Sequence, residues 1–222
     1  MLVISFITYK GGAGKSTLAF STAVAAKQAG ETVAILDLDQ QGASAAWAGT
    51  RARTDMFVEP TAIDDLNARI EELAEAGYTL CILDTAIEQG GSKRAIRASD
   101  LCIIPSRPNV FDLRAGAETW RKVNDLDKPA VFLLNQCPPL RQISRIQEGA
   151  RALQESGALL SPMISARVDF QDAARAGLGV TEISPSGAAA REIRELWASI
   201  LAYGQAKPAA VEDFADEILQ AA

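Results

Sequence analysis

Eight consecutive residues, Lys10-Gly11-Gly12-Ala13-Gly14-Lys15-Ser16-Thr17, constrain this chain most, because they stand between an apolar run, Leu2 to Thr8, and a helix-forming stretch, Ser16 to Ala29. Glycines at 11, 12 and 14 let the backbone amides turn toward one centre without Cβ clashes. A helix that starts near Lys15 points the positive end of its dipole at the same centre. Strand, glycine loop and helix in this order form the context of a phosphate-binding loop. In such a loop Lys15 is expected to bridge the β- and γ-phosphates, Ser16 to ligate Mg²⁺ through its hydroxyl, and Thr17 to bond the α-phosphate.

The rest of the chain alternates strand-like and helical segments, which predicts an α/β fold: a mostly parallel central sheet with helices on both faces. Expected strands are Leu2 to Thr8, Thr32 to Leu38, Met56 to Val58, Tyr78 to Leu83, Leu101 to Ile104, Ala130 to Leu134 and Leu159 to Ile164. Expected helices after the first are Ala43 to Gly49, Thr61 to Ala76, Leu113 to Val123, Ile143 to Gln154, Phe170 to Ala176 and Ser186 to Leu201. Thr61 to Ala76 carries an apolar stripe, Ile63, Leu66, Ile70 and Leu73, and stops at Gly77. At 222 residues, with no internal repeat or low-complexity linker, the chain is read as one domain over 1–204. An acidic amphipathic helix is expected over 205–222, with Val211, Phe214, Ile218 and Leu219 on one face, packed on the domain or held for a partner.

Composition narrows the chemistry. Histidine is absent, so Ser-His and Cys-His nucleophiles are excluded, leaving carboxylates, lysines, hydroxyls and backbone amides. Cys81, Cys102 and Cys137 are far apart and set in apolar runs, which reads as buried free thiols. No apolar run reaches the ~20 residues that span a bilayer. The N-terminus has no basic stretch ahead of its apolar run, so a cytoplasmic location is expected. The net charge is −6, yet residues 93–122 hold seven basic residues against three acids, so only local patches could meet a polyanion.

The loop resembles the deviant Walker A motif of the ParA/MinD ATPases, which position plasmids, chromosomes, division sites and other cargo. The resemblance implies a P-loop NTPase fold, ATP as substrate with Mg²⁺, and hydrolysis to ADP and phosphate. It also implies that Lys10 reaches across an ATP-dependent sandwich dimer to the partner's phosphates; read as a bare residue, Lys10 is a solvated loop cation. Asp37-Leu38-Asp39-Gln40-Gln41-Gly42 is similar to the family's switch I sequence, with Gln40 where proline is usual. By that match Asp39 positions the attacking water and Asp37 assists the Mg²⁺ shell, although either could simply cap a strand end. Leu80-Cys81-Ile82-Leu83-Asp84-Thr85 has the form of a Walker B strand, whose Asp84 holds a Mg²⁺-bound water. Ala86-Ile87 follows where the family has Pro-Pro.

Asn135, ending the Ala130 to Leu134 strand, stands where relatives place the residue that reads adenine; a turn cap before Pro138-Pro139 is the alternative. Ile164 to Asp169 and the Ala173 to Gly177 and Ser186 to Ala190 segments look like the C-terminal third of ParA proteins, and Arg167 matches a position associated with DNA contact. Arg141, Arg145, Arg175, Arg191 and Arg194 are further candidates by charge alone. The implied function is ParA-like: an ATP-bound homodimer holds nonspecific DNA on the nucleoid, a cargo-linked ParB-like activator triggers hydrolysis, and no membrane is involved. No helix-turn-helix extension for operator recognition is evident. A MinD-like membrane-cycling ATPase is the alternative, and the acidic tail counts against it. A metabolic phosphate-transferring enzyme and a nucleotide-gated scaffold without turnover are weaker readings.

Overall fold

Five-residue runs of nearly uninterrupted apolar side chains can be satisfied only by strands buried on both faces, and the computed structural model places them so. It describes residues 1–86, 89–138, 143–155 and 157–205. The strands are β1 (Leu2–Phe6), β2 (Val33–Asp37), β3 (Phe57–Pro60), β4 (Leu80–Asp84), β5 (Leu101–Ser106) and β6 (Ala130–Leu134). All pair in parallel in the order β3-β2-β4-β1-β5-β6. The helices are α1 (Lys15–Gln28), α2 (Ala43–Thr50), α3 (Leu66–Glu75), α4 (Gln89–Ala98), α5 (Val110–Asn124), α6 (Ile143–Gln154), α7 (Asp169–Arg175), α8 (Val180–Ile183) and α9 (Ala188–Gln205).

Alternation along each strand sorts the core into two layers. Ile4, Phe6, Val33, Ile35, Leu80, Ile82, Leu101, Ile103, Val131 and Leu133 face a layer made by α1, α2, α7, α8 and α9. Their neighbours Cys102, Ile104, Phe132 and Leu134 face α4, α5 and α6, and Ala34, Leu36, Cys81 and Leu83 face α3 and α4. Helix α1 lies between the sheet and α9, so Leu18 to Ala26 are buried almost all round. Cys81, Cys102 and Cys137 are buried and free, and burial pushes the Cys81 and Cys137 thiols up to about 12. Among the described residues no helix is long and apolar enough to cross a membrane.

The sheet positions the site through its order. Strands run outward from β1 in opposite directions, to β4 on one side and β5 on the other, and this reversal opens a crevice at the carboxyl ends of the strands. The register puts Asp84 level with both Phe6 and Asp37, so the three strand ends form one shelf beside the glycine loop.

The expected strand Leu159 to Ile164 is not one. Leu159 makes a single bridge to Phe132, Leu160 donates to the Phe132 carbonyl, and pairing resumes only at Ile164. Pro162 lies between and has no N–H for a ladder. Helix α3 begins at Leu66 rather than Thr61, because Thr61 donates its amide to the Asp37 carbonyl and residues 63–65 form a turn. Helices α4 and α8 were not expected: α4 opens on Gly90-Gly91, and α8 is four residues long behind Gly177 and Gly179. The tail expected over 205–222 lies outside the described residues from 206 onward.

A polar knot ties α2 to α8. The guanidinium of Arg51, just after α2, donates to Glu182 from Nη1 and Nη2 (2.8 and 2.7 Å), to Asp55 from Nε and Nη2 (2.9 and 3.2 Å) and to the Gly177 carbonyl (3.0 Å). Trp47 stacks on Phe20 with centroids 4.8 Å apart and donates its indole N–H to the Leu178 carbonyl. Gly177 has φ +65°, and a Cβ there would stand 2.6 Å from the Arg51 nitrogen, so only glycine admits this approach. Hydrogen bonds from Arg51 hold the Asp55 carboxyl well below the usual carboxylate range. Burial alone would raise Glu182, but Arg51, the Gly179 amide and Arg53 together hold it low.

Candidate functional site

The glycine loop turns through left-handed backbone at Gly12 (φ +73°) and Gly14 (φ +91°), and Gly14 is the N-cap of α1. The first closed helical bond is Leu18 N–H to the Gly14 carbonyl, 2.9 Å. The amides of Gly11 through Thr17 therefore have no acceptor among the described residues, which makes a concave array of donors. Lys15 is buried, 8% exposed, and no carboxylate lies within ion-pairing distance of it among the described residues. Burial lowers its pKa, while the charges of Asp84 and Asp39 oppose the shift. A buried cation facing free amide donors requires an anion, and phosphate supplies one. Lys10 is half-buried at the loop's entrance, likewise without a charged partner among the described residues.

The three aspartates divide their duties. Both Asp37 oxygens accept backbone amides, Oδ1 from Asp39 (3.1 Å) and Oδ2 from Ala45 (2.9 Å), so Asp37 caps the turn after β2 and the first turn of α2. The Asp39 carboxylate accepts the Gln41 amide (3.0 Å) and lines a cavity of about 870 Å³ together with residues 40–42, 60–64 and 85–86. Asp84 is fully buried; its Oδ2 accepts the Ser44 hydroxyl at 2.7 Å, and its Oδ1 has no hydrogen-bond partner among the described residues. Burial pushes the Asp84 carboxyl up to about 6, against the Ser44 and Ser16 hydroxyls, with Asp37 adding to the rise and Lys15 opposing it.

That orphaned buried oxygen beside the Ser16 hydroxyl is what a cation shell needs. Mg²⁺ is usually held by one or two protein groups plus phosphate oxygens and waters, and the Asp84 carboxylate with the Ser16 hydroxyl supplies such a pair. The residues present therefore fit Mg²⁺ bound with a nucleotide.

Asn135 lies under the loop. Its amide nitrogen donates to the Ala13 carbonyl (2.7 Å), and Gln136 donates likewise to the Gly12 carbonyl (2.9 Å). Arg107 grips Asp112 through Nε (2.7 Å) and Nη2 (3.1 Å), while its Nη1 lies 3.9 Å from where a Gly12 Cβ would stand. Arg167 stands apart, beyond β6, where Nη2 pairs with Glu192 at 2.9 Å. Arg175 is exposed beside Asp172, and Arg191 and Arg194 donate to the Ser186 and Pro185 carbonyls. Arg141, Ile87 and the side chain of Arg145 lie outside the described residues.

The fold thus brings together the glycine loop, Asp37, Asp39, Asp84 and Asn135, and leaves Arg167 at the sheet's far edge. Ser44, Arg107 and Gln136 escaped the sequence reading. Ser44 sits two residues past the switch I match and carried a signal; Gln136 and Arg107 are joined to the loop only through the fold.

Comparison with known proteins agrees with this geometry. The family described as "CobQ/CobB/MinD/ParA nucleotide binding domain" matches residues 4–180. The protein virC1 of Rhizobium rhizogenes is 27% identical over 189 residues, 78% of each chain. Among solved structures, a chain of the MinC:MinD cell division protein complex of Aquifex aeolicus superposes with TM-score 0.78 at 18% identity, covering 96% of this chain and 100% of that one. The septum site-determining protein MinD of Pyrococcus horikoshii, complexed with Mg-ADP, does so with TM-score 0.70 at 16% identity, covering 93% and 99%.

Proposed function

Because the chain belongs to the CobQ/CobB/MinD/ParA nucleotide-binding domain family and is a ParA/MinD-type ATPase, we propose that it works as a positioning switch: Mg²⁺-ATP closes two copies into a sandwich dimer that holds DNA nonspecifically. In this reading a cargo-linked activator protein triggers hydrolysis, the ADP form lets go, and the protein acts in the cytoplasm on the nucleoid. The observation that carries it is Lys10, a second lysine at the loop entrance with no charged partner among the described residues. Two apposed nucleotides would leave their γ-phosphates repelling, and a cation from each loop offsets that charge.

The other residues take roles that their placement supports. Gly11 to Gly14 offer their amides to phosphate oxygens, Lys15 spans the β- and γ-phosphates, and Thr17 meets the α-phosphate. Ser16 and Asp84 would hold Mg²⁺, and Asp37 fixes the loop after β2 beside them. Bound there, Mg²⁺ would neutralise charge developing on the phosphate oxygens. Asp39, open to the cavity, orients the attacking water and accepts hydrogen bonds from it.

Lys10→Ala should leave ATP affinity of the monomer within about threefold of wild type, while ATP-dependent dimers disappear in light scattering. Dimers that persist unchanged would remove Lys10 from the interface. DNA contact gives a second expected result. Arg167 is already paired with Glu192, so its guanidinium has to share or exchange that carboxylate for a phosphate. Arg167→Gln should weaken ATP-dependent DNA retention about tenfold at low salt and reduce the salt dependence by about one phosphate contact. Retention equal to wild type in a gel shift would exclude this arginine.

A further inference from the structure

We propose that Asn135 and Gln136 are positioning residues that hold the glycine loop in its anion-binding form, an inference that rests on the loop's phosphate-binding role. Consecutive residues at the end of β6 donate their side-chain amides to consecutive loop carbonyls, Asn135 to Ala13 and Gln136 to Gly12, across 122 and 124 residues of sequence. A trans peptide is planar, so the carbonyl of one residue and the N–H of the next point in opposite directions. Drawing the Gly12 and Ala13 carbonyls down toward β6 therefore aims the Ala13 and Gly14 N–H groups up, to the side where Lys15 and the helix dipole favour an anion.

Three further observations point the same way. Asn135 is 5% exposed and its own N–H donates to the Ser106 carbonyl at 2.9 Å, so β5 anchors the brace. A Cβ on Gly14 would stand 2.4 Å from the Asn135 amide nitrogen, so the glycine leaves the space that this nitrogen fills. Gln136 occupies left-handed backbone at φ +52°, an uncommon conformation for a residue with a side chain, and it is what lets the amide reach back to Gly12. The family resemblance put Asn135 where relatives read adenine, with a turn cap as the alternative. Its amide nitrogen donates to the loop, which ties the affinity for the triphosphate to it.

The test compares ATP with tripolyphosphate, which has no base, by displacement of a fluorescent ATP analogue with Mg²⁺ present. Asn135→Ala should weaken both by a similar factor, about 5- to 10-fold for one lost hydrogen bond. Gln136→Gly removes the second brace while relieving the positive φ. Its urea midpoint should therefore stay level or rise while affinity for both probes falls about 5-fold, a split that a merely structural role does not give. Loss of ATP affinity alone, with tripolyphosphate unchanged, would assign Asn135 to the base and overturn the proposal. Unchanged affinity in both variants would overturn it too. A wild-type chain that holds neither probe would instead refute the phosphate-loop reading beneath it.

Discussion

Lys15→Ala is expected to abolish measurable ATP binding while leaving the nucleotide-free fold as stable as wild type or slightly more so. The two halves of this result come from one fact: the ammonium is buried, with its pKa lowered by burial and no ion-pair partner among the described residues. Holding an uncompensated charge there costs stability, and alanine removes the cost. With phosphate present the balance reverses. A triphosphate would then face Asp37, Asp39 and Asp84 without the buried ammonium beside it, and losing one desolvated charge pair costs about 3–5 kcal/mol, or roughly 10²- to 10³-fold or more in affinity. Calorimetry reads the affinity and thermal melting the stability. The wild-type melting rise on adding Mg²⁺-ATP should vanish in the variant, and retained affinity would refute the assignment of the loop.

The largest stability effect is expected from Arg51→Met, at about 3–5 kcal/mol. Arg51 is the only cation within reach of Glu182 among the described residues apart from exposed Arg53, and it shares Asp55 with Lys27. Methionine fills similar space but removes the five hydrogen bonds that Arg51 donates, leaving Asp55 to Lys27 and Glu182 to the Gly179 amide and Arg53. The pH dependence follows from the sign of the shifts. Asp55 and Glu182 are both depressed in the folded state, so their stabilisation is complete above the ordinary carboxylate range and is lost as pH falls through about 4 and below. In the variant those carboxyls lose the group that depressed them, so acidification costs it less. The gap between wild type and variant in urea unfolding should be widest near pH 7 and close toward pH 3; a gap that does not change with pH would show that packing, not charge, is what Arg51 supplies.

What the sequence showed of this molecule depended on whether the chemistry is contiguous. The glycine loop, Asp37, Asp39 and Asp84 each sit at a strand end within a short motif, and apolar runs marked the strands that carry them. Arg51 with Glu182, Asn135 with Ala13 and Ser44 with Asp84 are 131, 122 and 40 residues apart, and only the fold makes them neighbours. Segments were misread for local reasons. Leu159 to Ile164 has a strand's composition but a proline inside it, and α4 carries Gly90-Gly91 in its first turn, where helix propensity is poor, so tertiary packing of Ala95 and Ile96 decides its state. Asp37 shows the opposite lesson: the strand-end cap was legible from its place after an apolar run, and both its oxygens accept backbone amides.

Helix α2 has a mechanical consequence. It is fixed at its far end by Arg51 and Trp47, each with partners around Gly177 to Glu182, and held at its near end by two polar contacts, Ser44 to Asp84 and the Ala45 amide to Asp37. Three residues of helix, a rise of about 4.5 Å, separate Ser44 from Trp47. One short helix therefore joins the carboxylates at the strand ends to the segment from Gly177 to Glu182.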